Sequence, residues 1–245
     1  MNKYQILKDI INECSSIVVF SGAGISTPSG IPDFRSADGL YTLKGEQGYT
    51  PEEIVSHSFF LRNTKEFYDF YKKHMVYENA KPNIAHKYFA DLEKHRKNVI
   101  VITQNIDGLH QAAGSSLVYE LHGTVHYNYC EHCHKIYDLD YILKSDGVPH
   151  CERCGGVIKP DVVLYDEPLN PRLMELSMHA IMSCELLIVI GTSLKVYPAA
   201  GFLRYFKGRY LVVINKERTD IDNQCDLVIN EDIATVIENL QKLDK

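Results

Sequence analysis

Continuous apolar runs of three to five residues recur along the chain, separated by charged or turn-forming segments. Uninterrupted short runs rich in Val and Ile are typical of strands that helices cover on both faces, whereas half-solvated strands alternate apolar and polar residues. The pattern therefore predicts buried strands over residues 16–20, 98–103, 117–121, 185–190, 210–214 and 226–229.

Helical periodicity fills most of the segments between these runs. Tyr4, Ile6, Leu7, Ile10 and Ile11 fall at helical spacing and predict a helix that opens the chain. The same criterion predicts helices over residues 86–97, 171–183 and 233–243. Because strands alternate with helices, the sequence predicts an α/β fold, a doubly wound parallel sheet.

Two segments do not follow this alternation. Residues 36–79 combine aromatic and charged side chains at helical spacing, and residues 125–159 hold two cysteine pairs and several histidines. We interpret them as insertions that pack together as a smaller domain. The predicted division is 1–35, 80–124 and 160–245 for the sheet domain, and 36–79 and 125–159 for the small one. A cleft between two such domains is where α/β proteins usually bind ligands.

Composition and charge narrow the function classes. The 245 residues are 45% hydrophobic and 24% charged, which is typical of a globular protein. The net charge of −6 offers no general attraction to nucleic acid, so nucleic acid is not an expected partner. The longest apolar run, 186–190, is far shorter than the roughly 20 residues that span a bilayer, so no membrane partner is expected either. The N-terminal segment lacks the apolar stretch of an export signal, and we expect a cytoplasmic protein.

Four of the seven cysteines form two close pairs. Cys130 and Cys133 are followed after 17 residues by Cys151 and Cys154, and this spacing lets two turns place four thiolates around one Zn²⁺. Neighbouring histidines are possible ligands, but four thiolates already complete a tetrahedron. A closed four-thiolate site leaves no position for water, so the predicted zinc is structural.

A glycine-rich loop, residues 22–30, follows the first predicted strand. Glycines there allow close approach of the backbone to a pyrophosphate, and the N–H groups at the start of a following helix would bind its charge. The dinucleotide fingerprint of dehydrogenases requires glycine at position 27, where this chain has Thr27. The loop therefore suggests a reaction other than hydride transfer, and a tight turn without a ligand is the alternative.

Further motifs, some of them beside or just past the ends of predicted strands, together identify a resemblance. They are Gly22-Ala-Gly-Ile-Ser26, Gly30-Ile-Pro-Asp-Phe-Arg35, Thr103-Gln-Asn-Ile-Asp107, Leu121-His-Gly123, Lys159-Pro-Asp-Val-Val163 and Gly191-Thr-Ser193. With the two cysteine pairs, these blocks closely resemble, in order, the sirtuin family of NAD-dependent protein deacylases. The resemblance covers residues from about 20 to 215.

The resemblance implies a Rossmann-type sheet domain, a small zinc-binding domain, and NAD in the cleft between them. The residues it implies for NAD binding are Gly22, Ala23, Gly24, Thr27, Asp33, Phe34, Arg35, Gln104, Asn105, Ile106, Asp107, His122, Gly191, Thr192, Ser193, Asn215 and Asp232. Asp107 would bind the nicotinamide carboxamide, and Asn215 and Asp232 would lie on the adenosine side. Val162, Val163, Leu164 and Tyr165 would pair as a short strand with the backbone of an acyl-lysine peptide.

The implied reaction transfers the acyl group of acyl-lysine to ADP-ribose and releases nicotinamide. His122, Asn105 and Asp107 would be the catalytic residues, with His122 as the general base, a role that suits an imidazole pKa near 6.5. Relatives that prefer acidic acyl groups carry a Tyr-x-x-Arg pair. The nearest match here is Tyr71-Lys-Lys-His74, which lacks the arginine fork, so acetyl or other neutral acyl groups are expected.

Three further points stay open at the level of sequence. The implied NAD site would also serve a mono-ADP-ribosyltransferase, which is the first alternative. The second alternative is a zinc-ribbon binding module that a nucleotide regulates. Acylated lysine proteins or peptides are the expected partners, with no prediction of oligomeric state. Finally, Tyr165-Asp-Glu167 replaces the Phe-Gly-Glu of many relatives, which leaves the effect of Asp166 undetermined.

Overall fold

The computed structural model describes residues 2–34, 39–40, 48–95 and 97–243. These residues form two β-sheets with helices around them. The strands are β1 Ser16–Ser21, β2 Asn98–Thr103, β3 Val118–Glu120, β4 Gly123–Cys130, β5 Ile136–Asp138, β6 Ile158–Val162, β7 Leu186–Ile190, β8 Tyr210–Ile214 and β9 Leu227–Ile229.

Most of the α-helices begin after a residue whose side chain caps the helix. The helices are α1 Lys3–Glu13, α2 Pro51–Ile54, α3 His57–Arg62, α4 Thr64–His74, α5 Ile84–Lys94, α6 Leu109–Ala113, α7 Leu139–Lys144, α8 Pro171–Ser183 and α9 Ile233–Lys242. Asn2, Asn170 and Asp232 accept a hydrogen bond from the first turn of α1, α8 and α9 respectively, which satisfies N–H groups that have no partner within the helix.

The larger sheet is parallel, with strand order β3-β2-β1-β7-β8-β9. The chain starts at β1 and proceeds outward to β3. After β4, β5 and β6, it returns to the other side of β1 at β7. The order therefore reverses between β1 and β7, and at such a point the loops leave a crevice beyond the carboxyl ends of the strands. This confirms the predicted α/β doubly wound sheet.

Successive residues of β1 point to opposite faces of the sheet, and both faces are buried. Ile17 and Val19 pack with helices α1, α5 and α9, whereas Val18 and Phe20 pack on the other face with α8. We call these two layers the aliphatic cores because Val, Ile and Leu dominate them. Their burial on both faces explains why the strands read as continuous apolar runs.

The smaller sheet is antiparallel, with strand order β5-β4-β6. It shares one hydrophobic core with helices α2, α3, α4 and α7, and we call this the aromatic core. The rings of Phe60 and Phe67 meet edge to face at 5.0 Å between centroids, and those of Phe67 and Tyr71 stack at 5.7 Å. Because β4 begins at Gly123 and β6 ends at Val162, this sheet extends slightly beyond the predicted insertion, and the domain boundaries stay a prediction.

The predicted strands and helices are present, with small differences at their ends. The third strand is Val118–Glu120, where 117–121 was expected, and the helix expected over 86–97 is α5, Ile84–Lys94. The Asn83 side chain caps α5, so the helix starts two residues earlier than the apolar pattern indicated. In the part of the chain that is described, no helix has the length and apolar character needed to cross a membrane.

Candidate functional site

A cleft of about 530 Å³ opens at the carboxyl ends of β1, β2 and β7 and extends to β6 of the smaller sheet. This volume is in the range of small-molecule sites. The residues named above for NAD and for the peptide all line the cleft, except Arg35, which lies outside the described residues. The geometry therefore places the two predicted sets together on the walls of one cleft.

The glycine loop after β1 packs against the loop after β7. The Gly24 N–H donates to Gly191 O at 2.8 Å, and a Cβ on Gly24 would lie 2.8 Å from the Gly191 Cα. Gly191 itself has φ +62°, a conformation that favours glycine. These glycines therefore allow two loop backbones to touch at the floor of the cleft.

The prediction that a helix follows this loop is wrong. The loop itself contains two single 3-10 turns, Ala23–Ile25 and Thr27–Ser29, Gly30 closes the second at φ +84°, and residues 31–34 after it are not helical. The Thr27 hydroxyl donates to Gly24 O at 3.0 Å and Pro28 lies inside the second turn, so the segment stays compact. An anion bound at this loop would interact with the N–H groups of short turns and not with the dipole of a long helix.

A polar cluster lies after β2. The Asp107 carboxylate accepts from the Ser26 hydroxyl at 2.7 Å, from the Asn105 amide at 3.3 Å and from the Leu109 N–H at 2.9 Å. The Asn105 amide also donates to the Ser26 hydroxyl at 3.0 Å. Because several bonds hold each group, the carboxylate and the amide are fixed before any ligand arrives.

Two buried histidines stand behind this cluster. The His86 and His110 rings are 4.8 Å apart between centroids, and His110 Nε2 lies 3.0 Å from the Ser21 hydroxyl. Burial lowers the pKa of His110 to about 3, and burial likewise lowers that of His86, although the nearby Asp107 opposes this. Both rings are therefore neutral at neutral pH, and the pair adds no positive charge beneath the cleft.

The far end of the cleft is lined from β7, β8 and α9. The Gln104 amide donates to the Thr192 hydroxyl at 3.1 Å, which ties the loop after β2 to the loop after β7. Asn215 follows β8, and its amide donates to Glu217 O at 2.8 Å. Asp232 caps α9 by accepting a hydrogen bond from the Thr235 N–H at 3.2 Å. Its side chain therefore stabilises the helix and also lines the cleft.

His122 lies between β3 and β4, where the chain passes from the larger sheet to the smaller one. Its Nδ1 is 2.9 Å from Gln104 O, and because a carbonyl oxygen only accepts, Nδ1 carries the proton. Nε2 is then an unprotonated acceptor. Burial lowers the pKa of His122, against the raising effect of the Gln104 carbonyl, so the imidazole is neutral at neutral pH.

The segment 162–165 forms the opposite wall. Val162 ends β6, and Tyr165 forms a single parallel bridge with Ser56, so only part of the expected four-residue strand has regular strand geometry. The Val163 N–H donates to His122 O at 2.9 Å, and the Tyr165 N–H donates to Val55 O at 3.0 Å. The segment is nevertheless extended and tied down at several points.

The four cysteines form one cluster. Their sulfur atoms lie within 4.8 Å of one another, with Cys130 and Cys154 at 3.5 Å and Cys133 and Cys151 at 3.5 Å. Four sulfurs about 2.3 Å from one ion would be separated by somewhat under 4 Å, so the set fits tetrahedral Zn²⁺. The Tyr137 hydroxyl donates to the Cys151 sulfur at 3.0 Å, an outer contact that orients this ligand.

A family model described as the Sir2 family matches residues 22–198, more than half of the chain. The chain belongs to the Sir2 family. The NAD-dependent protein deacetylase of Clostridium acetobutylicum is 52% identical to it over 241 residues, 98% of each chain. That of Clostridium perfringens is 54% identical over 237 residues, 96% of this chain and 97% of the relative.

Solved Sir2 structures have the same fold as this family member. Sir2 with a p53 peptide and NAD+ superimposes with a TM-score of 0.87 at 38% identity, covering 100% of this chain and 99% of the other. A Sir2 bound to a propionylated peptide gives a TM-score of 0.87 at 37% identity, covering 99% of each chain. These similarities confirm the resemblance identified from the motifs.

Sequence reasoning missed the contacts of two residues of this site. Ser26 lies inside a quoted motif, but only the structure reveals that it joins Asn105 and Asp107. His126 was considered only as a possible metal ligand, yet its Nε2 is 3.2 Å from Asp107 O. For Ser26 the available signal was a hydroxyl in the glycine loop at the end of a predicted strand. The contact of His126 depends on tertiary structure and had no such signal.

Proposed function

We propose that this chain is an NAD-dependent protein lysine deacetylase that transfers the acyl group to ADP-ribose and releases nicotinamide. Relatives that match nearly its whole length bear the name NAD-dependent protein deacetylase. The observation that carries the proposal is the single cleft that joins Asn105, Asp107 and His122 to the extended segment 162–165. Such a cleft brings a nucleotide and a peptide together at one histidine.

The donor set of the cleft fits NAD. Ser26, Asn105 and Asp107 offer a preorganised amide and carboxylate that would hold the nicotinamide and its ribose. Gly22, Ala23, Gly24 and Thr27 with Asp33 and Phe34 would cover one side, and Thr192, Ser193, Asn215 and Asp232 would hold the phosphates and adenosine. When bound, NAD supplies the ADP-ribose that accepts the acyl group and the nicotinamide that leaves.

His122 would act as the general base at Nε2. The Gln104 carbonyl fixes the proton on Nδ1, and the lowered pKa of His122 keeps Nε2 able to accept a proton from a ribose hydroxyl at neutral pH. General-base catalysis of this kind contributes roughly 10²- to 10⁴-fold.

The segment 162–165 would bind the backbone of an acyl-lysine peptide by strand addition. For the acyl group, Tyr71 is buried in the aromatic core, and only His74 of the Tyr-x-x-His pair lines the cleft. A single histidine lacks the bidentate fork that recognises a carboxylate, which supports acetyl or other neutral acyl groups.

We further propose that Cys130, Cys133, Cys151 and Cys154 hold one structural Zn²⁺. The ion would fix the turns between β4 and β6 and so support the peptide-binding wall. Cysteines that bind a metal and form no disulfide suit a reducing compartment, and we propose a cytoplasmic location.

The experiment that tests the proposed function is mass spectrometry of an acetyl-lysine peptide incubated with the purified protein and NAD. We expect unacetylated peptide, nicotinamide and O-acetyl-ADP-ribose in equal amounts. The same incubation without NAD is the control. Free acetate in place of O-acetyl-ADP-ribose, or labelled ADP-ribose on protein with no loss of acetyl, would contradict the proposal and favour hydrolysis or ADP-ribosyl transfer.

A further inference from the structure

A buried ammonium lies beneath the proposed peptide-binding wall. The Lys159 side chain is only 3% exposed, and its Nζ donates to Val162 O at 2.9 Å and to Pro160 O at 3.2 Å. It also lies 5.8 Å from the centre of the Tyr129 ring. Because a buried ammonium without partners costs several kcal/mol, these contacts restrict where Val162 can be.

The counter-charge comes from Glu167, five residues beyond Val162. Its Oε2 lies 3.1 Å from Lys159 Nζ and accepts from the Leu164 N–H at 2.8 Å. Its Oε1 lies 2.6 Å from Nδ1 of His57, the first residue of α3. One carboxylate therefore joins the interior lysine, the middle of the segment 162–165 and a helix of the aromatic core.

The backbone bonds of the same segment leave it little freedom. Val163 is tied to His122, and Tyr165 both donates to Val55 O and accepts from the His57 N–H at 2.9 Å. The ion-pair network therefore supports from within a segment that these backbone bonds hold at its edges. Fixing a binding segment in advance lowers the entropy cost of binding a partner to it.

We propose that Lys159, Glu167 and His57 are positioning residues that set the affinity for the acyl-lysine peptide by holding the segment 162–165 in its extended conformation. This inference rests on the proposed function, since it assumes that the segment binds a peptide. The network lies on the peptide side of the cleft and makes no contact with Asn105 or Asp107 among the bonds described above. Its loss should therefore weaken peptide binding and leave NAD binding in place.

The test uses the double variant Lys159→Met/Glu167→Leu in the full chain. Removing both partners leaves no unpaired buried charge, so the fold should survive where a single substitution would destabilise it strongly. We expect the KM for an acetyl-lysine peptide to rise about tenfold, while kcat and the KM for NAD change less than about threefold. The matched control is Lys144→Met/Asp140→Leu, which removes an exposed ion pair from α7. It should leave all three constants unchanged.

A binding measurement separates this inference from the proposed reaction. Fluorescence anisotropy of a labelled acetyl-lysine peptide needs no turnover, so a peptide that binds without product formation contradicts the reaction but still tests the network. A double variant that keeps its zinc and binds the peptide as tightly as the unmodified protein would overturn the inference.

If the double variant does not fold, His57→Asn provides the second test. It removes one bond to Glu167 at the partly exposed end of the network. We expect a rise of about threefold in peptide KM with kcat unchanged. An unchanged peptide KM in this variant would overturn the inference just as well.

Discussion

The aliphatic cores and the aromatic core are stabilised by different means. In the aliphatic cores, β1, β2, β7 and β8 contribute Val, Ile and Leu that pack on both faces of a continuous parallel ladder. The aromatic core combines an antiparallel sheet, ring contacts, cysteine side chains and buried polar groups such as Lys159 and Asn128. The stability of the aliphatic cores depends on apolar burial, whereas that of the aromatic core also depends on polar partners.

Approximate free energies indicate how strongly the aromatic core depends on its metal. A fully buried Val, Leu or Ile side chain contributes about 1.5–3 kcal/mol, and the aliphatic cores contain many of them. A structural zinc contributes roughly 10–16 kcal/mol in small zinc-binding peptides. The proposed zinc would thus contribute as much free energy as several buried side chains. The peptide side of the cleft should therefore be the part of the protein that can be disordered selectively.

The largest effect should come from Cys151→Ala. Because three thiolates cannot close the tetrahedral shell, we expect loss of the one zinc per chain measured by metal analysis. Hydrogen exchange should then quicken in β4 and β6 while β7 stays protected. Cys225→Ala, which alters a thiol outside the cluster, is the matched control and should keep its zinc. Equal loss of protection in β7 would mean that the two kinds of core unfold as one unit.

The same difference explains which parts of the fold could be predicted. The runs around Val19, Val101 and Ile188 carry their structural information locally, because strands buried on both faces are apolar at every position. The aromatic core does not have this property, since Lys159 within β6 reads as a surface residue until Glu167 and Tyr129 are seen around it. Cysteine spacing predicted the cluster, but not the strands that carry it.

The candidate site divides in a similar way. Asn105, Asp107 and His122 were predicted because the motifs that hold them resemble those of the sirtuin family. Gln104 O determines which ring nitrogen of His122 carries the proton, and the position of Asp107 depends on Ser26, which lies in the loop after β1. Sequence indicates which residue types gather at a sheet edge, whereas hydrogen-bond partners distant in the chain require the fold.

The second largest effect should come from His122→Ala, which tests whether chemistry belongs to the sheet side of the cleft. We expect deacetylation to fall by about 10²- to 10⁴-fold, because general-base catalysis is lost. Binding of NAD, measured by calorimetry, should change only a few-fold, since Asn105 and Asp107 keep their mutual bonds.

The pH profile and a second readout complete this test. Because burial lowers the pKa of His122, the acid limb of kcat/KM for the unmodified enzyme should lie below pH 6.5. Nicotinamide exchange into NAD should suffer less than product formation in His122→Ala. A variant that deacetylates at nearly the normal rate would make His122 a structural residue.

A smaller effect should appear in the pH dependence of stability, because two buried histidines lie on the sheet side of the cleft. His86 and His110 have pKa values lowered by burial, so the unfolded chain takes up protons that the folded chain refuses as pH falls below about 6.5. Their contribution is complete above that pH and is lost towards lower pH, at up to about 1.4 kcal/mol per pH unit for each histidine. Urea unfolding at pH 7.0 and 5.5 measures this slope.

His86→Leu should flatten the slope by about one proton, and His179→Asn, which changes an exposed histidine, should not alter it. Both variants keep the four cysteines, so the difference between them isolates the buried histidine from any effect of acid on the metal. An unchanged slope in His86→Leu would contradict the lowered pKa.

The smallest effect should appear at Asp166, the residue that follows the proposed peptide-binding segment 162–165, where the backbone is strained. Asp166 has φ +73°, a conformation that costs a non-glycine residue roughly 1–2 kcal/mol, and the Ser58 hydroxyl lies 3.4 Å from its carboxylate. Asp166→Gly removes this cost but adds freedom to the unfolded chain, so we expect the free energy of unfolding to rise by no more than about 1 kcal/mol. Asp166→Asn keeps a side chain that tolerates this conformation and should change stability by only a few tenths. Urea unfolding with zinc present compares the three proteins, and a glycine variant less stable than the asparagine one would mean that the side-chain contacts at this position outweigh the strain.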